Sequence, residues 1–262
     1  MDTDAVLTLL QETAAAVITP RFRALLEGEV VEKGPGDLVT VADREAEVLI
    51  ADALQAAYPD ALVVGEEATA ADPALLVRFA DAEHSFTVDP VDGTKNFVAG
   101  SPDHAVMAAE LRGGEVVRSW IWQPAHRLAY VAERGAGAWR NGERMERLNP
   151  SEDPGALRGA SSQRRFRREP LGALAPVRES WWCCGVDYPR IAEGEIDYLV
   201  YRADWPWDHA PGSLLVAEVG GRSGRTDGSS YDPRARRPWL LTAASPAAYE
   251  TVRTELAPAF SR

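Results

Sequence analysis

Asp89-Pro90-Val91-Asp92-Gly93-Thr94-Lys95-Asn96-Phe97 follows the apolar run Phe86 to Val88, and the join reads as a buried strand running out into a turn. Two carboxylates three residues apart flank a proline, and a Gly-Thr pair comes directly after. Hard divalent cations such as Mg²⁺ take oxygen ligands in near-octahedral array and usually link one or two carboxylates to a substrate phosphate. Asp89 and Asp92 supply such carboxylates. Backbone N–H groups at Gly93 and Thr94, where a helix can begin, suit the phosphate itself. The plainer reading is a strand-to-helix turn in which Asp, Pro and Gly only punctuate the chain.

Upstream, Ala61 to Val64 reads as a short buried strand ending at Gly65-Glu66-Glu67, so that a carboxylate stands at a strand end. Before it, Thr40 or Asp43 caps a helix running to about Ala57, with Val48, Leu49 and Leu54 on its apolar face. A loop through Lys33-Gly34-Pro35-Gly36-Asp37 precedes that helix. Ala5 to Leu26 has amphipathic helical spacing that Pro20 kinks or splits. Pro73 to Phe79 fits a short helix with proline in its preferred first position.

Downstream, residues 105 to 139 alternate β-branched and aromatic runs with Gly-Gly and Pro-Ala turns, and Asn141-Gly142 adds a hairpin signal, which together predict an antiparallel sheet. Residues 149 to 156 are rich in Pro, Ser and Asp. They are the expected junction between an N-terminal lobe, 1–148, and a C-terminal α/β lobe, 149–262, forming one compact catalytic unit. The second half gives strands near Leu157 to Ala160, Val177 to Trp181, Ile196 to Tyr201 and Leu240 to Thr242. Its helices run through Ile191, from Trp207 to a Gly220-Gly221 stop, and from Pro246 to Leu256. The pattern is mixed α/β with an antiparallel block, for which layered sheets and helices are expected.

Composition excludes several classes. The chain has 262 residues, 45% hydrophobic and 26% charged, which is globular. A net charge of -12 argues against nucleic acid as a partner. It tolerates an anionic substrate, because bound cations invert a local potential. The two cysteines, Cys183 and Cys184, are adjacent and form no disulfide framework, which fits a reducing cytoplasmic setting and two buried thiols packed as hydrophobes. No run of 18 apolar residues is present, so no membrane partner is expected. His84, His104, His126 and His209 are scattered without zinc spacing. His209 reads as a structurally hydrogen-bonded histidine at a helix start. Ser161-Ser162 lies in no nucleophile elbow.

Two further acidic motifs share the element-boundary placement of Asp89 and Glu66: Trp207-Asp208-His209-Ala210-Pro211-Gly212, and Asp37-Leu38-Val39-Thr40 followed by Asp43. A capping aspartate accounts for either alone. Together with Asp-Pro-Val-Asp-Gly-Thr they make the chain resemble the inositol monophosphatase family of Mg²⁺-dependent, Li⁺-sensitive phosphatases, from Lys33 to about Gly221. The resemblance implies a layered α-β-α-β-α sandwich, hydrolysis of a small polyol or sugar phosphate, two or three Mg²⁺ ions and a homodimer. It implies a first metal site at Glu66, Asp89 and the Val91 carbonyl, and a second at Asp89, Asp92 and Asp208. A weaker third lies near Glu66 through water. Thr94 and Asp43 match the pair that orients the attacking water, with Glu66 beside them, and Lys33 and Asp37 match supporting positions. Four clustered carboxylates repel without cations, and two ions answer the charge of a phosphomonoester and its leaving alkoxide.

The pattern departs from the family where substrate is chosen. Tyr201, followed by Arg202, stands where inositol-cleaving members carry a glutamate seven residues before the second-site aspartate. Trp182-Cys183-Cys184 replaces Gly-Ser-Ala, although Asp187 keeps its place. Gln163-Arg164-Arg165-Phe166-Arg167-Arg168 is the one basic cluster, read either as a solvated helix start or as a receptor for a second anionic group through Arg164 and Arg165. Gly93, Thr94, Asp92, Asp208, Tyr201 and Arg202 complete the candidate substrate contacts. Histidinol phosphate and nucleotide or fructose bisphosphates are alternative substrates, and a non-catalytic regulatory relative is the alternative of another class.

Overall fold

The computed structural model describes residues 1–168 and 171–260. Its first helix, α1 (Thr3–Thr13), is capped by Asp2 and runs on as a π-helical turn, Ala14–Ile18, and a short 3-10 turn, Thr19–Arg21. The expected helix to Leu26 therefore stops just past Pro20, which has no N–H to continue it. The segment expected to be a loop around Lys33 is instead a hairpin, β1 (Val30–Gly34) with β2 (Asp37–Thr40). Helix α2 (Val41–Ala57) follows, with Thr40 as N-cap and Asp43 closing a capping box. Its buried stripe is Ala42, Ala46, Ile50 and Leu54, while Val48 and Leu49 face outward at 58% and 44% exposure. Residues four apart lie on one face of a helix, so Ala42, Ala46, Ile50 and Leu54 form the stripe that meets the sheet, and Val48 and Leu49 fall off it.

Strand β3 (Leu62–Gly65) leads directly into α3 (Glu66–Ala71), a helix that the sequence did not announce, then α4 (Ala74–Asp81). Strand β4 (His84–Asp92) ends at α5 (Thr94–Val98), and β5 (Ala105–Arg112), β6 (Glu115–Gln123), β7 (Leu128–Glu133), β8 (Gly137–Arg140) and β9 (Glu143–Arg144) continue as a meander. Strands β3 to β9 make one seven-stranded sheet in sequence order, parallel only between β3 and β4. The β8–β9 turn carries φ of 50° at Asn141 and 81° at Gly142, the conformation an Asn-Gly hairpin favours.

In the second half, β10 (Gly159–Ser161), α6 (Arg164–Arg168), β11 (Arg178–Glu179), α7 (Cys184–Ala192), β12 (Tyr198–Tyr201), α8 (Pro206–Glu218), β13 (Arg222–Arg225), β14 (Leu240–Ala243) and α9 (Pro246–Phe260) follow. Five strands form a second sheet in the order β11-β10-β12-β14-β13. Strand β13 was not expected, because Arg-Ser-Gly-Arg carries no β pattern.

The layering follows from strand alternation. On β5, Val106 and Ala108 pack with α1 and α2, whereas Met107, Ala109 and Leu111 face α7 and α8. On the small sheet Leu199 joins the same central cluster, and Tyr198, Val200, Leu241 and Ala243 pack under α9 through Tyr249, Val252 and Leu256. Helices, large sheet, helices, small sheet and helix thus stack as α-β-α-β-α, each sheet covered on both faces. Helices α7 and α8 belong to the second half in sequence, yet they are buried against the large sheet of the first.

Candidate active site

The cleft lies where β3 and β4 end. On a regular strand Asp89 and Asp92, three residues apart, point to opposite faces. Here Asp89 pairs with Met107 and Asp92 with Ala105, so three residues advance against two on β5. That bulge, built on a proline with no N–H to donate, reverses the alternation and turns both carboxylates the same way. Gly93 then takes φ 77° and releases the chain into α5.

Glu66 opens α3 directly after Gly65, and Asp208 stands in the first turn of α8. Glu66, Asp89, Val91, Asp92, Gly93, Thr94 and Asp208 line one cleft of about 290 Å³, shared with Asp37 and Trp182. Asp208 faces Asp89 closely enough for each to act on the other's charge. Asp89 Oδ1 is buried without a hydrogen-bond partner among the described residues. Burial, then the charges of Glu66, Asp92 and Asp208, pushes the Asp89 carboxyl well above the usual range. Burial and the facing Asp92 and Glu66 do the same to Asp208. Burial brings Glu66 to about 7, with the Lys33 ammonium opposing the shift. Lys33 Nζ sits 2.9 Å from Glu66 and 2.7 Å from Glu67.

Asp92 Oδ2 accepts from the Cys183 thiol at 2.9 Å and from the Gly185 N–H at 2.5 Å, so one of the two expected packing thiols also holds a site carboxylate. Thr94 Oγ1 reaches Asp43 Oδ1 at 3.2 Å and the Val91 carbonyl at 3.0 Å. Asp43 Oδ2 accepts from both the backbone N–H and the hydroxyl of Thr40. Burial raises Asp43 to about 6.

A bulged Asp-Pro-Val-Asp strand end, a helix-opening glutamate and a helix-first-turn aspartate meet here in chain order. The chain matches the inositol monophosphatase family over residues 2–259. It belongs to that family. An inositol-1-monophosphatase of Rhizobium meliloti is 33% identical over 210 residues, covering 76% of each chain. A protein of Vibrio cholerae named Nus factor SuhB is 29% identical over 205 residues, covering 73% of each. A solved Thermotoga maritima IMPase superposes with a TM-score of 0.81 at 24% identity, covering 98% of each chain, which shows the shared fold. As a member of the inositol monophosphatase family the protein is a phosphatase of a metal-dependent class.

An all-oxygen donor set, mutually raised carboxyl pKa values and a buried, partnerless Asp89 oxygen fit hard divalent cations. A softer trio nearby does not: Cys184, Asp208 and His209 lie within 4.8 Å of one another, but His209 Nδ1 already meets Tyr188 Oη at 3.0 Å and Nε2 the Ala203 carbonyl at 3.0 Å. His209 is buried, as a structural histidine is, and its pKa falls to about 3.

The remaining candidate residues stand apart from this cleft. The Tyr201 hydroxyl donates to buried Asp187, and its ring lies 4.8 Å from that of His209. Arg164 is exposed on α6, and Arg165 lies over the rings of Phe166, Trp239 and Phe260. Arg202 lines a separate cavity with Arg236 and Arg237. The Arg168 side chain lies outside the described set. Sequence reasoning missed Glu47, whose carboxylate accepts from the Glu67 and Ala68 N–H groups at 2.7 Å each and so caps the helix that presents Glu66. Its one signal was an acidic residue on a buried stripe of α2.

Proposed function

We propose that the protein is a Mg²⁺-dependent phosphomonoesterase acting on a small phosphorylated polyol or sugar. The observation that carries this reading is the meeting of Glu66, Asp89, Asp92 and Asp208 around an Asp89 oxygen that no donor among the described residues satisfies. Those carboxylates and the Val91 carbonyl are the groups that would hold two or three ions. Bound there, divalent cations would neutralise phosphate charge, acidify water and steady the leaving oxygen.

The chain's own residues supply the rest. The opening turn of α5, from Gly93 to Lys95, borders the cleft and receives the phosphate. The Thr94 hydroxyl, held between Asp43 and the Val91 carbonyl, orients the attacking water and passes its proton to Asp43 Oδ1. Asp43 is fixed for that task by its two bonds from Thr40. Trp182 lines the cleft, with its indole N–H bonded to Glu179. A homodimer belongs to the same proposal, and sedimentation velocity checks it.

Thr94→Ala is expected to lower turnover by roughly 10²-fold or more, the scale of a lost acid–base group, with cation affinity retained. Stopped phosphate release beside calorimetric Mg²⁺ binding decides it; undiminished turnover refutes the role. A second reading, a regulatory protein, is favoured by the relative named Nus factor SuhB. A cellular phenotype fully restored by Asp89→Asn would support it.

A further inference from the structure

We propose that the arginine-lined cavity beside Trp205 is a subsite for a second anionic group of the substrate, a phosphate or carboxylate borne on the leaving-group side. The cavity measures about 550 Å³, and Gln163, Arg202, Arg236 and Arg237 line it. It is the meeting point of three separate segments: the exit of β12, the start of α6 and the loop before β14.

Its charge balance is what singles it out on a chain of net charge -12. The carboxylate in its wall, Asp204, is buried and already neutralised: Arg225 stands at 2.6 Å and the Arg237 N–H donates to it at 2.8 Å. Arg236 approaches that carboxylate only to 4.0 Å. Arg237 reaches Asp227 at 3.9 Å, with both side chains about 60% exposed. Arg202 has no carboxylate partner among the described residues. The charge it does meet is another cation, Arg165, whose pKa burial and Arg202 together lower. Guanidinium groups gathered around a hollow whose one wall carboxylate is already paired with Arg225 leave N–H forks for an outside anion, which they bind two bonds at a time. Stacking readies one of them: the Arg236 guanidinium lies 3.4 Å from the Trp205 ring centroid, which fixes its plane and leaves its edges open.

The cavity is also within reach of the proposed chemistry. Trp205 stacks on Trp207 with centroids 5.1 Å apart, and Trp207 directly precedes Asp208. Arg236 is near enough to Asp208 for its charge to stabilise that carboxylate. On this proposal a substrate held by its scissile phosphate at Asp89 and Asp208 would extend past Trp205 toward the arginines, and a neutral polyol would leave them unmet. This inference deepens the proposed function and rests on it for the identity of the substrate.

Two measurements test it. In the first, metal-stripped protein in EDTA is titrated with inorganic phosphate by calorimetry, so that the carboxylate site binds none. The wild-type protein and Asp89→Asn are expected to bind phosphate, and Arg202→Ala/Arg236→Ala to bind it about tenfold more weakly or not at all. In the second, kcat/KM is compared for a matched pair, a sugar bisphosphate and its monophosphate, with a phosphorylated sugar acid as a third arm. The bisphosphate-to-monophosphate ratio is expected to fall about tenfold in the double variant, mainly through KM. Whichever of the bisphosphate and the acid loses more names the anion. Phosphate binding that is absent from the wild type or indifferent to the double substitution overturns the subsite, as does an unchanged ratio. Failure to turn over any substrate counts against the phosphatase reading instead, and the EDTA titration still decides the subsite.

Discussion

Pro90 and Val91 together face the single residue Val106 across the β4–β5 pair, and that one extra residue aims Asp89 and Asp92 into a common cleft. Gly93 completes the turn. It holds φ 77°, and a Cβ there would lie 2.9 Å from the Asp103 carbonyl. Gly93→Ala is therefore expected to cost about 1–3 kcal/mol in urea unfolding and to misplace Thr94. At the same scale, Asp43 near 6 and Glu66 near 7 keep protons in the folded state that the unfolded chain has released. A carboxyl pKa raised by folding withdraws stability as pH climbs from the unfolded value of about 4 through 6 and 7. The protein in EDTA should thus melt lower at pH 8 than at pH 5. Mg²⁺ should restore more at pH 8, because it binds the deprotonated form. A melting temperature in EDTA that rises over this range would contradict the assignment. The sequence showed these residues plainly, because strand-end acids next to Gly and Pro stand out. It did not show the bulge, which is a property of pairing with β5.

At the scale of elements, the capping of α3 matters most. Gly65 lets the Glu47 carboxylate close on the helix start; a Cβ at Gly65 would come within 2.2 Å of it. Glu47→Ala should cost about 0.5–2 kcal/mol, the range for a lost helix cap. It should also weaken Mg²⁺ binding by letting Glu66 drift, and Glu47→Gln should recover part of both. Thermal melts and Mg²⁺ titration of the two variants check this. Glu47 was hidden in the sequence because its partners, Glu67 and Ala68, lie 20 and 21 residues away on another element. The β1–β2 hairpin was hidden for a local reason: Gly34-Pro35-Gly36 reads as loop, whereas it is the turn between two short strands. Long elements such as α2 and the β5–β8 meander were legible as helix and sheet, whereas the buried face of α2 was not, because two of its inward residues are alanines and Val48 and Leu49 lie outward.

Over the whole molecule, the cleft draws Glu66, Asp89 and Asp92 from the large-sheet half and Asp208 and the supporting Cys183 from the other. Helices α7 and α8 are packed between the two sheets. The two halves are accordingly expected to unfold in one transition, with loss of activity and of far-ultraviolet dichroism coinciding; two separated transitions would show independent lobes. The layered fold was legible through the motif resemblance, and the acidic motifs that line the candidate cleft stood out in the sequence. What the substrate carries was not legible. Arg202 is far in the chain from the adjacent pair Arg236 and Arg237, and they converge only when β12 and the segment before β14 come together. Whether the four-carboxylate cleft cuts phosphomonoesters with a divalent cation is decided by phosphate release from a panel of sugar and polyol phosphates. Phosphate is expected to be released with Mg²⁺ and not in EDTA, and Asp89→Asn is expected to lose roughly 10²-fold or more of that activity. Release that persists in EDTA, or an Asp89→Asn enzyme as fast as the wild type, would contradict that chemistry.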